Sequence, residues 1–153
     1  MAEYELTCFD KSGNSYKAAL MLELTGCDWQ PRLVDYFHGE TRGDDYRALN
    51  VMGEAPVLIH GDTVLSQSGV ILDYLAEMTG RFGPETPAER REIWRWILFD
   101  NHKLTSYTAT LRFMRSIGKT GETPVTEFLD KRARGAWDVL DRQVASRDFV
   151  IGA

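Results

Sequence analysis

The stretch GEAPVLIHGDTVLSQS, residues 53–68, decides the reading of this chain. Pro56 stands directly before Val57, Leu58 and Ile59. It lacks the N–H that a central strand position needs, so it belongs at a strand's first residue or edge, where an X–Pro bond is a candidate for the cis form. Gly61 and Asp62 separate the VLIH run from TVL and signal a hairpin. Ser66, Gln67 and Ser68 precede the apolar run Val70, Ile71, Leu72, Tyr74 and Leu75, which predicts a helix with Ser66 as its N-cap. The backbone before Pro56 and the free amides of that helix start lie close together. Two such surfaces suit a small peptide-like ligand that carries a carboxylate.

Upstream, residues 4–9 alternate as a strand, and residues 12–26 read as a helix closed by Gly26. Residues 29–36 form the next predicted strand, and after a polar stretch residues 44–50 suggest a short irregular helix. The order β-α-β followed by β-β-α is thioredoxin-like, an α/β arrangement with a mixed sheet and helices on both faces. Downstream, Thr86-Pro87-Ala88-Glu89 is a capping box with proline at the first helical position, opening a helix that runs to about Ile117. Residues 118–121 break it. Thr123 caps a further helix whose apolar face is Val125, Leu129, Ala133, Ala136, Leu140 and Val144. The expected organisation is a thioredoxin-like domain over residues 1–81, a linker at 82–86, and an all-α domain over 87–153.

Composition excludes several function classes. The 153 residues carry a net charge of −5 with no basic run, which argues against nucleic-acid binding. No apolar segment is long enough to span a bilayer and the N-terminus has no secretory pattern, so a cytoplasmic location is expected. Cys8 and Cys27 are too few for a disulfide framework or a zinc site, and His38, His60 and His102 are too scattered to hold a metal.

The first helix start carries the chemistry. Thioredoxin-like redox proteins place a Cys-x-x-Cys pair there; this chain has Ser12-Gly13-Asn14-Ser15, so disulfide exchange is excluded at that site. A hydroxyl at a helix N-terminus can instead donate to a thiolate, with the helix field adding to the effect. A free thiol has a pKa near ~8.5, and lowering it by about two units takes roughly 2.7 kcal/mol of preferential thiolate stabilisation, the size of one charge-assisted hydrogen bond plus a helix end. For Ser12 and Asn14 the plain alternative is N-capping.

Together, Ala55-Pro56-Val57-Leu58, the His60-Gly61-Asp62-Thr63 hairpin and the Gln67-Ser68 pair before Ile71-Leu72-Asp73-Tyr74-Leu75 resemble the glutathione transferases, cytosolic type. Ser12-Gly13-Asn14-Ser15-Tyr16-Lys17 is similar to the serine-type, theta- and zeta-like members. The resemblance implies a transferase that activates the thiol of glutathione, its co-substrate, for attack on an electrophilic small molecule, with no metal. It implies Ser12 as the thiolate donor, with Asn14 as a second contact. It implies Ala55 and Pro56 as the cradle of the cysteinyl backbone, and Gln67 and Ser68 as the holders of the γ-glutamyl carboxylate. The glycyl carboxylate falls to His38, Arg42 or Lys11. Asp100 interrupts the stripe Ile93, Ile97, Leu104, Tyr107, Leu111 and Met114; the resemblance makes it the residue that reaches a neighbour's glutathione amine across a homodimer, and the plain alternative is a partly exposed, paired aspartate. Other expectations are an isomerase, dehalogenase or peroxidase of the same fold, or a non-catalytic binding module. Family members have about five or six helices in the second domain, so the two found here imply either a truncated chain or a short natural variant, one that exposes apolar surface or recruits a partner.

Overall fold

The computed structural model describes residues 2–152; positions 1 and 153, which the expected domain bounds include, lie outside them. The chain divides into two compact units, one running to Gly83 and the other beginning at Pro84.

In the first unit β1 (Tyr4–Cys8), α1 (Gly13–Thr25), β2 (Trp29–Leu33), α2 (Asp44–Leu49), β3 (Val57–His60), β4 (Thr63–Ser66) and α3 (Ser68–Thr79) follow in order. The sheet order is β2-β1-β3-β4, with β1 and β2 parallel and the remaining pairs antiparallel. Pro31 sits in β2 at the sheet edge, where a missing N–H costs no ladder bond. The α/β thioredoxin-like class is the one the sequence predicts. Tyr4, Leu6 and Cys8 of β1 pack with Ala18, Met21 and Leu22 of α1 and Ile71 and Leu75 of α3. A smaller cluster joins Val57 to Val34 and Tyr46. Leu58 of β3 joins the first cluster and its neighbour Val57 the second, so alternation along β3 places the two clusters on opposite faces of the sheet.

Pro56 begins β3 through a cis Ala55–Pro56 bond, and Gly61, at φ +57°, turns the hairpin. Both strands before it end early: β1 stops at Cys8 and β2 at Leu33, because Val34 N–H still donates to Cys8 O but Tyr36 N–H turns back to Val34 O. The predicted cap at Ser66 is corrected. Ser66 is the last residue of β4, paired with Val57, and the N-cap of α3 is Gln67. Strand pairing outcompetes the capping preference of serine there.

The second unit begins with α4 (Pro87–Phe99), whose N-cap Thr86 Oγ accepts from Glu89 N–H at 3.1 Å. Glu89 reaches back to Glu85 N–H rather than to that of its own cap. The helical path continues through a π-helical turn (Asp100–Thr105), α5 (Ser106–Arg112) and a second π-helical turn (Phe113–Ile117). One unbroken α-helix was expected, and the π turns are the difference. The first explains Asp100: widening brings residues five apart together, and Thr105 Oγ1 donates to Asp100 Oδ1 at 2.8 Å. The half-buried carboxylate on the apolar stripe therefore has a partner within its own helix.

The last helix, α6 (Pro124–Val144), starts in a reciprocal capping box between Thr123 and Thr126. Its buried face is Thr126, Leu129, Ala133 and Ala136. Val125, expected on that face, is 54% exposed. The box draws the Thr126 hydroxyl inward to Thr123, and the residue before it points out. Around the preceding turn Arg115 bridges Glu122 and Asp130; its hydrogen bond holds the Glu122 carboxyl below its usual range, and hydrogen bonds from Arg134 and Arg115 do the same for Asp130.

Candidate functional site

Two helix N-termini and the loop before Pro56 form the candidate site in the first unit. At α1, Ser12 is the N-cap in extended conformation, and its Oγ accepts from Ser15 N–H at 3.1 Å. That bond uses a lone pair, so the hydroxyl hydrogen remains for donation to a bound group. Ser15 is buried, as expected of a residue turned into the first helical turn. Cys8 cannot substitute for a surface thiol here, because it is buried and burial pushes its thiol up.

Asn14 is where the two halves meet. Its Oδ1 accepts from Lys17 Nζ at 3.2 Å and from Ser68 Oγ at 3.3 Å. Residues 54 positions apart in the chain thus join the first turn of α1 to the first turn of α3. Ser68 and Gly69 are buried at that helix start. No side chain caps α3, and its first amides have no partner within the helix, which leaves a place that favours an anion. Gln67 adopts φ +70°, a region that L side chains rarely enter and that costs roughly 1–3 kcal/mol. Its Nε2 donates to Glu54 Oε2 at 3.0 Å and lies 3.1 Å from Met52 Sδ.

Two residues that the sequence did not single out, Tyr46 and Asn50, hold the loop before Pro56. Glu54 O accepts from Tyr46 Oη at 3.0 Å and from Asn50 Nδ2 at 2.8 Å. Asn50 Oδ1 in turn accepts from Met52 N–H. Burial pushes the Tyr46 phenol up, so it stays protonated and able to donate. These bonds restrain the backbone leading into Ala55, the residue whose main chain is expected to pair with a ligand. Tyr46→Phe is expected to destabilise the chain by about 1 kcal/mol, read as a lower urea midpoint with unchanged slope. An unchanged midpoint would remove the phenol from the loop's support. The available signal was Tyr46 and Leu49, an apolar pair at helical spacing inside a polar stretch.

His38 lies after β2, highly exposed, with Nδ1 bonded to Asp35 at 2.7 and 2.8 Å. That bond holds the Asp35 carboxyl below its usual range. Lys11 Nζ sits 5.4 Å over the Phe37 ring, and Arg42 contributes its carbonyl to Arg47. Asp100 belongs to the second unit and bonds Thr105 as described. At the far end of β3 from Pro56, His60 stacks on Tyr4 and bonds Tyr74 Oη at 2.7 Å, a packing role. Among the described residues no three His, Cys, Asp or Glu side chains gather around a place for a metal ion, and no helix is long and apolar enough to cross a membrane.

Comparison with known proteins gives a consistent result. Residues 12–78 match the family model described as the N-terminal domain of glutathione S-transferase. The chain is similar to a possible glutathione S-transferase from Rhodopseudomonas palustris, with a TM-score of 0.91, 30% identity and coverage of 99% of this chain and 76% of that one. A glutathione S-transferase from Pseudomonas fluorescens Pf-5 superposes with a TM-score of 0.90 at 30% identity, again covering 99% of this chain and 76% of the other. Glutathione S-transferase F10 of Arabidopsis thaliana is 25% identical over 147 residues, which are 91% of this chain and 68% of that protein. The chain therefore spans about two thirds to three quarters of the length of these relatives.

Proposed function

This chain belongs to the glutathione transferase family, and from that premise we propose that it binds glutathione and activates the thiol for attack on an electrophilic small molecule. The observation that carries the reading is the Asn14–Ser68 hydrogen bond, which joins a thiolate-stabilising helix start to a carboxylate-holding one beside the cis Ala55–Pro56 bond. Ser12 donates its free hydroxyl hydrogen to the thiolate, and the Nδ2 of Asn14 supplies a second donor. The main chain of Ala55 pairs with the cysteinyl unit. The open amides at Ser68 take the γ-glutamyl carboxylate, with Gln67 beside them.

Gln67 has two amide hydrogens. One rests on Glu54, and the other meets the thioether of Met52, a weak acceptor that a carboxylate readily displaces. Gln67→Ala is expected to weaken glutathione binding about five- to tenfold, the size of one hydrogen bond to a charged group after its existing partners are released. Calorimetry that finds equal affinities would remove Gln67 from the site.

The glycyl carboxylate is assigned to His38 through Nε2, since Nδ1 is held by Asp35. The working form is a cytoplasmic homodimer in which Asp100 meets the γ-glutamyl amine of the neighbouring subunit. Mass in solution with and without glutathione tests that assembly, and a monomer that binds fully would overturn it.

A further inference from the structure

We propose that Lys17 is a positioning residue for the thiolate contact and acts through the amide of Asn14. The inference rests on the reading above, that Asn14 faces the thiol of bound glutathione. Lys17 Nζ and Ser68 Oγ both approach the same atom, Asn14 Oδ1, at 3.2 and 3.3 Å. The two neighbours differ in what they tolerate. An ammonium has donors only, whereas a serine hydroxyl both donates and accepts.

With Lys17 present, the amide edge that faces it must be the oxygen, because a flipped amide would set N–H against N–H. Nδ2 is then turned away from both partners and presents hydrogens, which a thiolate needs. Without the ammonium, Ser68 satisfies either orientation by reversing its own hydrogen. The flipped amide would offer the thiolate an oxygen lone pair, a repulsive contact. Lys17 is therefore the group that selects the donor face. Its charge on Oδ1 also polarises the amide and strengthens the donation from Nδ2.

The arrangement has a consequence for Ser68. Its hydroxyl hydrogen is directed to Asn14, so its contact with the γ-glutamyl carboxylate is made by the backbone amide. Both halves of the site then depend on one side-chain orientation, set from within the first two turns of α1.

The test is an ultraviolet titration of the thiol of protein-bound glutathione in the parent, Lys17→Met, Lys17→Arg, Asn14→Leu and the double variant carrying Lys17→Met with Asn14→Leu. Lys17→Met is expected to raise the thiol pKa by roughly half to one unit, and Lys17→Arg to restore most of the parental value. In the Asn14→Leu background Lys17→Met is expected to add nothing, since its effect passes through the missing amide. An unchanged pKa in Lys17→Met overturns the inference. So does an equal rise in the Asn14→Leu background, which would make Lys17 a distant charge only. If the parent itself leaves the thiol pKa of bound glutathione at its free value, the underlying functional reading fails along with the inference. If the parent acidifies the thiol and only the Lys17 result fails, the reading stands without it.

Discussion

Ser12→Ala is expected to raise the pKa of the bound glutathione thiol by about one to two units and to lower turnover at pH 7 about tenfold. The size follows from a single charge-assisted hydrogen bond of roughly 1.5–3 kcal/mol, at about 1.36 kcal/mol per pKa unit. If the parent holds the thiol near ~6.5, most of it is thiolate at pH 7; near ~8, only about a tenth is. The loss should therefore shrink as pH rises toward ~9, because the variant then recovers its thiolate. A more basic thiolate is also intrinsically somewhat more nucleophilic, which limits the deficit. Ser12 has a second duty, since its Oγ caps α1 through Ser15 N–H. Loss of that cap costs about 0.5–2 kcal/mol of stability. The two duties separate cleanly: a lower unfolding midpoint with an unchanged pH–rate profile would reduce Ser12 to a cap.

The second large effect is expected from Leu58→Ala. Leu58 is fully buried in β3, two residues after Pro56, between Leu6 of β1 and Leu65 of β4 in the ladder. Truncating a fully buried leucine removes its transfer energy and leaves a cavity, for about 2–5 kcal/mol. In a unit of this size each kcal/mol is worth about 4–8 °C, so a fall in unfolding midpoint of roughly 8–40 °C is expected. Val51→Ala is the control. Val51 is 77% exposed in the same unit, and its truncation should stay within about 0.5 kcal/mol. Similar losses in both variants would contradict the placement of the core.

The strand-hairpin-helix unit was legible because its punctuation is local. Pro56 cannot be a central strand residue, Gly61-Asp62 favours a hairpin turn, and the apolar run after Ser68 has helical spacing. Ser66 shows the limit of the same logic. Its preference for a cap is real, but its place opposite Val57 in the ladder is a tertiary fact. Gln67 then takes the cap at φ +70°, a conformation that no side-chain preference announces.

The candidate site was legible as residues, not as contacts. Ser12 and Ser68 are readable one by one as residues at helix starts. That Asn14 bonds Ser68 depends on how α1 and α3 lie on one face of the sheet. The Tyr46 and Asn50 bonds to Glu54 O were hidden for the same reason, since a carbonyl carries no sequence signal. In the second unit, periodicity found the stripe through Asp100 but assumed an α-helix throughout. The π-helical turn that supplies its Thr105 partner changes the spacing from four to five.

The most direct measurement is the pH titration of glutathione thiolate absorbance in the presence of saturating parent protein. Saturable binding is expected, with a bound thiol that ionises about two units below the free value of ~8.5. A bound thiol that titrates like the free one, or no binding at all, would contradict that expectation.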